Sequence, residues 1–252
     1  MLHLDLRTLR WGTLALASML AIAAGDARAI TVPFGDSARY WDGYANGTGD
    51  DSRDTIGTPD LLGGTATFDT NGVLTNVSIT YTGRFSIVTS GNGRVIPGDL
   101  FLDLGGDGSW DYVMKLVGAP QTPVASYASL SILHVGGGDM SPSYLMSGSD
   151  DTGHWQGFGI RDRHPYAWNG GGEEIGTGSM SGFAPTANGG TLSFDLGLGI
   201  LVRDGVRISF APSCANDVLV ADVTAPVPEP AAALVFGIGL AAVTRAARKP
   251  RS

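Results

Sequence analysis

The whole chain contains one cysteine, Cys214. An intramolecular disulfide is therefore excluded, and so is a zinc site built on several cysteines. Cys214 itself reads as a small buried apolar residue. Basic residues are also scarce: 16 Lys and Arg stand against 24 Asp and Glu. A phosphate-binding surface needs clustered cations, so nucleic acid is not an expected partner. The four histidines include no His-Glu-x-x-His spacing. The nucleophile elbow Gly-x-Ser-x-Gly is missing too, since Gly178 and Gly182 bracket Met180. Glu173 and Glu174 are adjacent, and adjacent side chains of a regular strand point to opposite faces, so they cannot flank one sugar. No Gly-rich loop follows a strand pattern and opens a helix, which removes a phosphate cradle. An enzyme is not expected. Helical periodicity is absent between Ile30 and Pro226, and no repeat of about 20–50 residues argues for a solenoid or propeller.

The two ends are what the chain has in abundance. Arg7 and Arg10 precede an apolar stretch from Trp11 to Ala24, and Ala27-Arg28-Ala29 supplies small residues at the two positions a signal peptidase reads. This has the form of a secretory signal peptide, with cleavage expected after Ala29. At the other end stands Pro228-Glu229-Pro230, then an uncharged run from Ala231 to Thr244 with Leu234, Val235, Phe236, Ile238 and Leu240, then Arg245, Arg248, Lys249 and Arg251. The run is shorter than the about 20 residues of a usual membrane span, and a run this short can also be a buried core helix. Four closing cations with no acid among them fit the cytoplasmic face of a membrane.

This three-part order resembles the PEP-CTERM sorting signal of bacterial proteins processed by exosortases. The run Ser213-Cys214-Ala215-Asn216-Asp217-Val218, shortly before the tail, is similar to a segment that closes the folded part of many such proteins. The resemblance implies export through the inner membrane, a membrane-anchored precursor, and cutting by an exosortase at or near Pro228-Glu229-Pro230. The product would stand at the cell surface or in the extracellular, biofilm-type matrix. Its implied role is that of a non-enzymatic component of the surface or of the exopolysaccharide.

The expected organisation is a signal peptide over 1–29, one ectodomain over 30–223, a Pro-rich linker with the Pro-Glu-Pro motif over 224–230, an apolar transmembrane or sorting helix over 231–244, and a basic cytoplasmic tail over 245–252. The charge of the exported part is lopsided. Setting aside Arg7, Arg10, Arg28 and the four tail cations leaves 9 of 16 basic residues; setting aside Asp5, Asp26 and Glu229 leaves 21 of 24 acids, a balance near −12. An acidic surface suits solubility, divalent cations or cationic partners.

The ectodomain reads as β throughout. Glycine is abundant, at 38 residues, and short β-branched and aromatic runs recur between turn signals. Expected strands lie at Thr65 to Thr70, Val73 to Thr82, Phe85 to Thr89, Leu100 to Leu104, Trp110 to Val117, Tyr127 to Val135, Thr191 to Leu196, Gly199 to Arg203, Val206 to Ala211 and Asp217 to Val223. Asn71-Gly72 and Asp204-Gly205 are read as hairpin turns. Val77, Ile79 and Tyr81 alternate with Ser78 and Thr80, as in a half-buried strand. So many short strands in one domain imply an all-β, single sandwich or jelly-roll-like body between an N-terminal signal helix and a C-terminal apolar anchor helix. Asp36 to Gly64 and Gly136 to Gly190 read as long loops.

Two constellations could carry binding. Asp103, Asp107 and Asp111 stand at positions 1, 5 and 9 of a Gly-rich turn, with Gly108 at position 6, a partial match to a Ca²⁺ loop. Gly105 at position 3 and Met114 at position 12 leave two ligands missing, so an acidic hairpin turn is the competing reading. Trp155, Tyr166 and Trp168 could form a ring platform for polysaccharide. That makes a carbohydrate-binding module, with or without calcium, the alternative function; the competing reading is that the rings plug the ends of the body.

Overall fold

The computed structural model describes residues 29–36, 38, 54–55, 57–85, 95–116, 126–138, 145–147, 165–168, 170–184 and 187–226. Contacts divide the chain into two units. One is Ile30–Pro226; the other, residues 1–29 and 227–252, lies outside the described residues apart from Ala29. Among the described residues there is no helix, and hence none long and apolar enough to cross a membrane.

Twelve strands follow in order: β1 Ile30–Phe34, β2 Asp60–Phe68, β3 Val73–Thr82, β4 Leu100–Leu104, β5 Trp110–Lys115, β6 Ser126–Gly138, β7 Leu145–Ser147, β8 Pro165–Trp168, β9 Glu173–Ser181, β10 Gly190–Leu201, β11 Val206–Phe210 and β12 Leu219–Val223. Ten form one continuous sheet, in the order β1-β2-β3-β10-β9-β6-β5-β4-β11-β12, while β7 and β8 pair separately. Every pairing is antiparallel. The sheet curls until β12 lies against β1 and β2, giving a nearly closed barrel. The described residues are thus all-β, with ten strands in one curled sheet rather than in a two-sheet sandwich. The barrel is flattened: Phe194 of β10 and Phe210 of β11, five places apart in the sheet, meet with ring centroids 5.8 Å apart.

Alternation of side chains decides what fills it. Val77, Ile79 and Tyr81 of β3, Leu192 and Phe194 of β10, Ile208 and Phe210 of β11, and Leu219 and Ala221 of β12 all point into one core. Between them, outward-facing Asn76, Ser78 and Ser193 make a polar ladder, with Asn76 Nδ2 donating to Ser193 Oγ at 3.0 Å and Ser78 Oγ donating to Asn76 Oδ1 at 3.0 Å. Val32 and Phe34 of β1 extend the core at the sheet's edge.

Local turn chemistry positions the strands. The β2–β3 hairpin at Asn71-Gly72 forms as expected, with Asp69 Oδ1 accepting from the backbone N–H of Asn71 and Val73, both at 2.8 Å. Gly72 takes φ +79°, a left-handed conformation that glycine adopts without penalty. Asp204-Gly205 behaves differently. Its flanking strands do not pair: β10 lies between β3 and β9, and β11 lies between β4 and β12. The turn is therefore a crossover from one half of the barrel to the other, not a hairpin.

Two further expectations are corrected, and Phe85 and β1 are placed. Thr191 to Leu196 and Gly199 to Arg203 belong to a single strand, β10, in which residues 196–199 bulge out opposite Thr75. Phe85 lies just past β3 and is buried edge-on between Tyr81 and Phe183, with centroids at 4.7 and 5.3 Å; the rest of the strand expected from it lies outside the described residues. The acidic and Gly-rich segments read as loops contain the start of β2, β7, β8 and the whole of β9. β1, not among the expected strands although Ile30, Thr31, Val32 and Phe34 favour one, is the first edge of the sheet. In β9, Gly178 is required by packing, because a Cβ there would lie 2.3 Å from Asp195 O and 2.6 Å from Met114 Cε. A strand in which only Ile175 and Thr177 are β-branched is held in place chiefly by its neighbours β6 and β10.

Candidate functional site

The Asp103–Asp111 turn joins β4 to β5. Asp103 is buried, its Oδ1 accepting from Asp107 N at 3.1 Å and its Oδ2 from Gly108 N at 2.9 Å. Asp107 Oδ1 accepts from Ser109 N at 2.9 Å, and Asp111 Oδ2 from Leu104 N at 2.7 Å. Each carboxylate thus closes part of the turn. Burial pushes the Asp103 carboxyl above its ordinary value, and the two N–H bonds oppose that rise. Among the described residues no three His, Cys, Asp or Glu side chains converge as a metal ion requires. The hydrogen bonding is that of an acidic hairpin turn.

Beside this turn lies a shallow groove of about 220 Å³, lined by Gly105, Gly106, Asp204, Gly205, Arg207 and Asp222 among others. Arg207 donates from Nε to Asp222 Oδ1 at 2.8 Å and from Nη2 to Asp222 Oδ2 at 3.2 Å. The groove falls below the about 300 Å³ at which small-molecule sites begin, and the guanidinium is already engaged.

Tyr166 and Trp168 do not present ring faces to solvent. They are 2% and 3% exposed and form a second core with Phe101, Trp110, Val113, Ala211 and Val218 on the outer side of the barrel. Asp99, wholly buried, pins strand β8 there. Its Oδ1 accepts from Leu116 N at 2.6 Å, its Oδ2 from Trp168 N at 2.8 Å, and its own N–H donates to Tyr166 O at 2.8 Å. Lys115 Nζ adds a bond to Trp168 O at 2.9 Å. Gly98 lets the two backbones approach, since a Cβ there would lie 2.2 Å from Ala211 O and 2.3 Å from Tyr166 O. The expected ring platform is corrected to a packing layer for these two rings; its third member, Trp155, lies outside the described residues.

The run Ser213 to Val218 is buried throughout. Ser213 N–H donates to Ile96 O at 2.9 Å, and Ile96 N–H donates back to Ser213 Oγ at 3.1 Å. Asn216 Nδ2 donates to Thr58 O at 3.0 Å. Asp217, with no exposed surface, accepts from Leu61 N and from Val218 N. Cys214 lies in the main core, and burial pushes its thiol up to about 12. In native protein it is expected to resist a maleimide over hours at pH 8 and to label fully in denaturant. Rapid native labelling, read as a mass increment, would remove Cys214 from the core.

A second carboxyl stands near Asp217. Asp36 lies two residues beyond β1; its Oδ1 accepts from Ala38 N at 3.1 Å, and its Oδ2 is buried without a hydrogen-bond partner. Burial and then the Asp217 charge push Asp36 up to about 8. Burial pushes Asp217 up to about 7, against the pull of its bonds from Leu61 and Val218. Neither this pair nor Asp99 stands out in the sequence. Both rest on contacts between residues far apart in the chain, and the only local signs are the Pro-Gly-Asp and Ala-Asn-Asp turns.

Of the residues expected to carry sorting, Ala29 is described and exposed, directly before β1. Ala27, Pro228, Glu229, Pro230, the apolar Leu234, Val235, Phe236, Ile238 and Leu240, and the basic Arg245, Arg248, Lys249 and Arg251 lie outside the described residues. No family model, no curated protein and no solved structure matches the chain.

Proposed function

We propose that this chain is an exported, non-enzymatic protein of the bacterial cell surface or exopolysaccharide matrix, sorted by an exosortase. The observation that carries this reading is the order Pro228-Glu229-Pro230, uncharged run, basic end, set opposite an N-terminal stretch with signal-peptide form. Two features of the folded part are compatible with it. The compact unit spans Ile30–Pro226, so both candidate cuts fall at its margins and neither removes a strand. The polar outer ladder on β3 and β10 suits a body that works in water.

In this reading the flattened barrel is the sandwich-like body of the exported protein. The signal helix is removed by signal peptidase, and the apolar anchor helix holds the precursor in the inner membrane until the exosortase acts. The carbohydrate-binding alternative draws no support from Tyr166 and Trp168, which are buried.

The test is the intact mass of the protein from its native cells, compartment by compartment. The expected species begins at Ile30 and ends near Pro228, in the surface or matrix fraction. A species that begins at Ile30 but keeps Ser252, in membranes only, overturns exosortase sorting in favour of a tail-anchored protein.

A further inference from the structure

The ends of the ten-stranded sheet meet at a seam closed by side chains rather than by a backbone ladder. β1 pairs with β2 and β12 pairs with β11, yet β12 lies against both β1 and β2. The bonds that cross from the β12 side come from the turn before it: Asp217 accepts the Leu61 N–H, and Asn216 Nδ2 donates to Thr58 O. Asp36 brings a second carboxyl from the end of β1. Asp217 has two N–H donors to hold a negative charge. Asp36 has one, and its other oxygen is buried and unbonded. Among the described residues, the charged groups that act on Asp36 are all acids: Asp217 before β12, Asp60 at the start of β2, and Asp54. Asp54 and Asp60 act on Asp217 as well, and the Cys214 thiol beside it is neutral.

We propose that this seam is a proton-linked latch: with a proton on the Asp36 carboxyl the ends of β1 and β12 stay together, and release of that proton to solvent sets two carboxylates against each other and loosens the seam. The proton belongs on Asp36 because that carboxyl has the poorer set of donors. The direction of the pH effect follows. Asp36 is raised from about 3.8 to about 8, so the folded chain keeps a proton that the unfolded chain has already released. The stability contribution is full below about pH 4 and is lost progressively as pH rises to about 8. Asp217, raised to about 7, acts in the same direction. The latch does not depend on how the chain is sorted.

The test uses the full-length chain in mild detergent. Its melting temperature is expected to fall by about 5–10 °C between pH 5 and pH 9. Amide protection, corrected for intrinsic exchange, should be lost in β1 and β12 before β3 and β10. Asp36→Asn should abolish most of that fall and melt above the native protein at pH 9. Should that variant not fold, Asp217→Asn provides the same readout, because the pH slope is measured rather than the absolute stability. Asp54→Asn should keep most of the native slope. A native melting temperature that is flat from pH 5 to pH 9, or an Asp36→Asn slope equal to the native one, overturns the latch.

Discussion

Phe194→Ala is expected to lower stability by about 3–5 kcal/mol, the range for removing a large buried aromatic ring. For a domain of this size that is a fall in melting temperature of about 6–20 °C. Phe194 has no exposed surface and sits on β10, near the middle of one half of the sheet; its ring reaches Phe210 on the other half. Replacing it opens a void between two layers that cannot close without moving backbone on both sides. The edge-on ring pair adds about 0.5–1.5 kcal/mol beyond the buried area. A double-mutant cycle with Phe210→Ala should therefore show coupling of that order, measured by urea denaturation. Strict additivity, with no coupling, would mean that the halves of the barrel do not press on each other through these rings.

Asp99→Ala is expected to cost about 2–5 kcal/mol, for a different reason. The substitution removes little volume, but it leaves the N–H groups of Leu116 and Trp168 buried without their acceptor, at about 1–3 kcal/mol each. The damage should be local at first: exchange at the Leu116 and Trp168 amides should accelerate before that of β3 and β10. Asp99→Asn keeps one acceptor oxygen and should lie between the native protein and the alanine variant. If Asp99→Ala unfolds at the native urea midpoint, these two bonds contribute nothing net, and the outer layer is held by its apolar contacts together with the bonds to Tyr166 O and Trp168 O.

The elements legible in the sequence are those whose signals are local. β3 and β4 run over the expected Val73 to Thr82 and Leu100 to Leu104 because their signals are local: alternation in β3, a short apolar run in β4, and turn residues at the ends of each. The Asn71-Gly72 hairpin follows from φ preferences alone. β9 is not legible because Glu, Gly and Ser fill most of Glu-Glu-Ile-Gly-Thr-Gly-Ser-Met-Ser and outweigh Ile175 and Thr177; its order comes from β6 and β10 on either side. The aromatic cluster is visible as composition, but whether its rings face water or a core depends on the outer layer that Asp99 pins down. Asp103, Asp107 and Asp111 are visible as acids, but their partners, four backbone N–H groups, are not.

By itself the sequence determined the all-β class, the lack of disulfides and the acidic balance, because composition and local patterning act over a few residues. Tertiary structure decided that Asp204-Gly205 is a crossover, that ten strands share one curled sheet, and that Asp36 and Asp217 come near enough at its seam for one charge to act on the other. Those outcomes depend on which distant segments pack together, and burial is what turns an ordinary aspartate into a clamp, a turn cap or a proton-holding carboxyl.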